Sequence, residues 1–78
     1  MKYQKLRIYL SERRVQLGYS QYRVAAELGI CHQHYSRIEN GKIGKLVSFR
    51  TMVKIADVLK MDINELRVKE IEYQNSLD

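Results

Sequence analysis

Residues 20–42, SQYRVAAELGICHQHYSRIENGK, hold two short apolar patterns divided by one glycine, with Cys, His, Gln and Arg gathered after it. Val24, Ala25 and Leu28 stand at i, i+1 and i+4, the spacing of one helical face. Ser20 ahead of them carries a hydroxyl that can accept from backbone N–H groups two or three residues on, as helix starts require. The spacing therefore predicts a helix over 21–28, stopped at Gly29, whose tolerance of positive φ lets the chain turn sharply. After Gly29-Ile30-Cys31, apolar positions resume at Tyr35 and Ile38, which predicts a second helix over 32–39 ending at Asn40-Gly41. Two short helices joined by a three-residue turn must cross steeply, and Ala25 supplies the small side chain that a close crossing needs.

Working outward, Leu6, Leu10 and Leu17, with Ile8 and Val15, recur at roughly helical spacing before Gly18, which predicts a first helix over residues 3–17. Downstream, the polar loop NGKIGKLV (40–47) leads to Ser48, a second N-cap. Phe49, Met52, Val53, Ile55, Ala56 and Leu59 then form a broad apolar face, predicting a helix over 49–60. Asp62-Ile63-Asn64-Glu65 reads as a capping box that starts a fifth helix burying Ile63 and Leu66. No strand-like alternation competes, so the expected class is all-α, a compact five-helix domain over residues 1–66. The tail, residues 67–78, has apolar residues at Val68 and Ile71 and is otherwise polar; a helix extension, a dimer edge and a disordered end all fit it.

Seventy-eight residues fit one small core, and a chain of this size buries only about 60% of the surface it exposes when unfolded, so a partner chain would help it. One cysteine forms no internal disulfide, and the N-terminal residues lack the apolar run of a signal peptide or membrane span. A reduced, cytoplasmic protein is expected. The net charge is +5, unevenly spread: residues 62–78 hold two basic and five acidic residues, −3, leaving +8 on residues 1–61. Concentrated positive charge suits a polyanionic partner.

Ala25, Gly29 four positions later, Tyr35 and Ile38 reproduce the spacing of a DNA-binding helix-turn-helix formed by the second and third helices. Through GYSQYRVAAELGI, SRIENGK and VKIADVLKMDINEL, residues 6–66 resemble the lambda-repressor-like, Cro/C1-type (XRE) helix-turn-helix family. The resemblance implies a five-helix domain whose third helix enters the major groove of double-stranded DNA, usually as a homodimer on a two-fold operator. It implies a transcriptional regulator, a repressor or autoregulator in kind. Three positions depart from the family pattern. Cys31 replaces the usual Ser or Thr cap, Tyr35 replaces a buried Ile or Val, and the loop after the third helix is longer by about two residues.

By the same resemblance, His32, Gln33 and Arg37 occupy the principal base-reading positions. Their chemistry agrees, because Gln pairs with adenine N6 and N7 and Arg with guanine O6 and N7. Gln21, opening the second helix, matches a phosphate-contacting glutamine, and the helix end itself favours an anion. Asn40 and Lys42 resemble a second phosphate clamp, with His34, Arg23, Ser36 and Lys45 as lesser candidates. Arg14 and Glu39 match positions that in some members form a partly buried ion pair, a structural tie whose loss of one partner costs about 3–5 kcal/mol.

Cys31, His32 and His34 do not make a metal site, because a structural zinc site needs four ligands in spaced pairs and residues two apart on a helix point to different faces. Cys31 also lacks an oriented base, and no phosphate-cradling glycine loop occurs. No catalytic residue, cofactor, metal or small-molecule ligand is assigned. A protein-interaction adaptor or antitoxin-like module is the second reading, favoured by the acidic tail and by Tyr3 and Tyr73.

Overall fold

The computed structural model describes residues 5–43 and 47–77. The described residues form five helices and no strand: α1 (Ile8–Gln16), α2 (Gln21–Leu28), α3 (His32–Glu39), α4 (Phe49–Val58) and α5 (Ile63–Ser76). Three starts are capped by side chains: Ser20 Oγ accepts from the Arg23 N–H at 3.0 Å, Ser48 Oγ from Thr51 at 3.2 Å, and Asp62 Oδ1 from Asn64 at 2.7 Å. Asp62 thus caps one position earlier than the Glu65 N–H that a capping box uses. Cys31 at the start of α3 makes no side-chain cap bond.

The helix ends repeat one device. Gly18, Gly29 and Gly41 all take φ between +73° and +77° after α1, α2 and α3. Behind them the N–H groups of Tyr19, Ile30 and Lys42 reach back five residues to the carbonyls of Arg14, Ala25 and Arg37. After α4 the left-handed position falls on Lys60, at φ 56°, which ends the helix at Val58 rather than at the expected residue 60. Arg13 of α1 reinforces that end, donating to the carbonyls of Leu59 and Lys60 at 2.9 and 3.1 Å, as a cation at a helix C-terminus should.

All five helices contribute to one core, with Leu10, Val24, Ile38, Ile55, Leu59 and Leu66 at 0–1% exposure. Ala25 is buried where α2 meets its neighbours. Ile63, expected inside, lies on the exposed side of α5, and Leu6, Ile8 and Val15 at the N-terminal end of the chain are exposed as well. The inward row of α5 is Leu66 and Tyr73, seven residues apart, because residues 67–76 continue the helix.

The first helix is shorter than the periodicity of Leu6, Leu10 and Leu17 predicts. Residues 3 and 4 of that expected span lie outside the described residues, and Lys5–Arg7 are not helical. Long-range bonds hold this segment out of the helix: the Arg7 N–H donates to the Glu39 carbonyl at 2.8 Å, and the Tyr73 hydroxyl to the Lys5 carbonyl at 2.7 Å. Arg7 is fully buried. Its Nη1 donates to the carbonyls of Ile38 and Ile43 at 2.8 and 2.7 Å, Nε and Nη2 each donate to Glu70 at 3.0 Å, and its guanidinium lies 4.4 Å from the Tyr73 ring centre. Tyr9 and Gln74 donate to the same carboxylate. This fork geometry uses the planar donor set of arginine and compensates a charge that burial alone would penalise heavily. The end of α3, the segment before α1 and the last turns of α5 are thereby joined at one side chain.

Candidate functional site

Helix α3 is two-sided. Tyr35, Ile38 and Glu39 are buried, whereas Gln33, His34 and Arg37 are exposed and His32, Ser36 and Asn40 half-exposed. His32, Gln33, Ser36, Arg37, Asn40 and Lys42 line one open hollow on the outer face. An amide and a guanidinium one turn apart on such a ridge can each make paired hydrogen bonds to a planar partner. His34 is exposed but does not line that hollow.

The buried side of α3 fixes how this ridge is carried. Glu39 accepts from Arg14 Nε at 2.7 Å and Nη2 at 3.2 Å, and its side chain is 3% exposed against 16% for Arg14. Arg14 Nη1 also donates to the Tyr19 carbonyl at 2.9 Å, tying α1, the α1–α2 turn and the end of α3 together. Tyr35 packs with no exposure, and its hydroxyl makes no hydrogen bond of proper geometry, lying beside the Glu39 carboxylate. Burial, and then that carboxylate, push the Tyr35 phenol well above its ordinary value, so it stays neutral.

Gln21 is placed differently from a free surface amide. Its Nε2 donates to Glu39 Oε1 at 3.1 Å, so one of its two N–H bonds is committed inside the protein. The remaining N–H and the unpaired backbone N–H groups of the first turn of α2 are what this helix end can offer an anion. Asn40 Nδ2 donates to Ser36 Oγ at 3.1 Å, one turn back on α3. Arg23 lies over the Tyr19 ring, 4.0 Å from its centre, and meets Glu27 at 3.4 Å, both on the exposed face of α2. Lys42 is exposed just past α3, and Lys45 lies outside the described residues.

One member of this surface has no signal in local spacing. The rings of Tyr22 and His32 are stacked, 3.9 Å between centres and 6° between planes. They begin different helices and are ten residues apart; only the convergence of the α2 and α3 N-termini brings them together. Cys31, His32 and His34 are not drawn together, and among the described residues no group of three or more His, Cys, Asp or Glu side chains could hold a metal ion. No helix among those residues is long and apolar enough to cross a membrane.

A protein-family model described as helix-turn-helix matches residues 10–66, leaving out only Ile8 and Tyr9 of α1 and the part of α5 after Leu66. No curated protein matches the chain.

Proposed function

Because this chain belongs to the Cro/C1-type helix-turn-helix family of DNA-binding regulators, we propose that it recognises a specific double-stranded DNA sequence and represses or autoregulates transcription from it in the cytoplasm. The single observation that carries the reading is the two-sidedness of α3. Its reverse face is packed by Tyr35 and Ile38 and held by the Glu39 ion pair, while Gln33 and Arg37 stay exposed in one hollow with His32 and Lys42. A rigid helix with an outward amide and guanidinium is what base-edge recognition in a major groove needs.

His32, Gln33 and Arg37 read base edges, and Arg37 takes a guanine. Gln21 with the start of α2, and Asn40, Ser36 and Lys42 at the far end of α3, meet backbone phosphates on either side; Arg23, His34 and Lys45 add charge or donors at the margin. Phosphate contacts set register and carry no sequence information. The excess of positive charge over residues 1–61 supports an electrostatic share of the affinity.

One α3 covers one half-site, so the operator is two-fold and the protein acts as a homodimer, its two recognition helices about 34 Å apart. The face offered to the second copy is the groove between Phe49 of α4 and Ile63 and Ile71 of α5. Phe49 is 74% exposed and Ile71 48%, and Arg67 and Gln74 border them, giving an apolar strip with a polar edge that suits self-association. Selection from random duplex oligonucleotides tests the whole reading. An enriched two-fold symmetric sequence is expected, and no enrichment even at low salt would overturn it.

A further inference from the structure

Tyr22 is the second residue of α2, 69% exposed, and its ring lies face to face with that of His32, the first residue of α3. An imidazole on a helix start without a side-chain cap would otherwise sample several staggered positions. Stacking at 3.9 Å and 6° removes that freedom. With one face covered, the ring has only its nitrogen-bearing edge and its far face to offer the hollow it shares with Gln33, Ser36 and Arg37.

We infer that Tyr22 is a positioning residue for sequence recognition: it fixes the plane of His32 so that one ring N–H is directed at a purine acceptor edge. The inference rests on the reading of α3 as the groove-inserted helix, and it deepens that reading by explaining how a histidine discriminates there. An imidazole with free side-chain torsions bonds a phosphate or a base with little preference. One held against a second ring carries its orientation into the complex, and the ordering is already complete before binding. Tyr22 touches no base in this scheme; it sets the base-pair preference through His32.

The experiment selects operators with the full chain and its Tyr22→Ala, Tyr22→Phe, His32→Ala and double Tyr22→Ala/His32→Ala variants, with a thermal midpoint recorded for each. Wild type yields a two-fold symmetric site. Tyr22→Ala then loses preference at one base pair per half-site, the same one lost by His32→Ala, and keeps the preference at the pair read by Arg37. Its affinity for the wild-type site falls about threefold to tenfold, the equivalent of ordering one side chain. Tyr22→Phe, which keeps the ring, behaves as wild type, and the double variant is no worse than His32→Ala alone. Full base preference in Tyr22→Ala overturns the inference while leaving the DNA reading intact. So does equal weakening on all sequences, which marks a backbone contact, a Tyr22→Phe variant as defective as Tyr22→Ala, or a lowered midpoint in Tyr22→Ala. If wild type enriches no sequence, the DNA reading falls and this inference with it.

Discussion

Arg7 and Glu70, 63 positions apart, are joined by two parallel hydrogen bonds of 3.0 Å, with the guanidinium fully buried and the carboxylate side chain 13% exposed. Removing the acid strands a buried cation. Glu70→Ala should therefore lower the unfolding free energy by about 3–5 kcal/mol, a change that urea denaturation followed by circular dichroism resolves easily. A midpoint equal to wild type would show that the pair contributes nothing.

The same carboxylate governs acid stability. Burial raises the Glu70 carboxyl, but hydrogen bonds from Arg7, Tyr9 and Gln74 outweigh it and hold the group below its ordinary 4.5. In acid the folded state thus binds fewer protons at this group than the unfolded chain. Its stabilising contribution is complete above the unfolded value and is lost as pH falls through the lower folded one. Denaturation midpoints measured from about pH 7 to pH 3 should fall on the acid side in wild type and fall less steeply in Glu70→Gln. Parallel curves for the two proteins would place the acid-sensitive group elsewhere.

What is legible in the sequence is what closes within a few residues. Ser20, Ser48 and Asp62 bond N–H groups two or three positions on, and Gly18, Gly29 and Gly41 end their helices over five, so α2, α3 and the starts of α4 and α5 can be placed from local grammar. Arg7 cannot. Between Leu6 and Ile8 it looks like a solvated position of a longer first helix, and its partners, Ile38, Ile43 and Glu70, lie 31 to 63 residues away. Its bonds are also why residues 67–76 join the fold, which the polar character of the tail conceals. At the site, the choice of His32, Gln33 and Arg37 comes from the family resemblance, and helical phase agrees in keeping Gln33 and Arg37 off the buried face of Tyr35 and Ile38. The turning of Gln21 toward Glu39 and the stack of Tyr22 on His32 depend on how two helix starts meet, which no spacing within one helix encodes.

Gly29 and Gly41 have nearly the same φ, +74° and +77°, yet alanine should be tolerated very differently at the two. A Cβ on Gly29 meets nothing within 4 Å, so Gly29→Ala carries only left-handed strain, about 1–2 kcal/mol. A Cβ on Gly41 would meet the Lys5 carbonyl oxygen at 1.9 Å, so overpacking adds about 1–3 kcal/mol to that strain and displaces the segment before α1. Thermal melts of the two variants should separate clearly; equal midpoints would mean that Lys5 yields without cost.

Arg37 and Lys42 should fail in different ways. Arg37→Ala is expected to relax base preference at one position at a cost of about 1–3 kcal/mol on the preferred site. Lys42→Ala should weaken every sequence alike and reduce the salt slope of log K by about 0.9. Titrations of cognate and scrambled duplexes at several salt concentrations read both effects, and an unchanged slope for Lys42→Ala would remove it from the phosphate contacts.

Phe49→Glu puts a charge into the strip assigned to the second copy. Sedimentation equilibrium should show a dimer in wild type and a monomer in the variant, with helical content retained because Phe49 is largely exposed. A variant that stays dimeric moves the interface off α4 and α5.

The bond between positions 7 and 70 constrains how such domains can be recombined. A crossover anywhere between those positions separates a guanidinium from its counter-carboxylate, and where the other parent lacks the matching partner the hybrid inherits an uncompensated ion even when both parents fold well. A final helix grafted from another family member onto this body should be accepted when it carries a carboxylate at the position of Glu70 or when the donor's residue at the position of Arg7 travels with it.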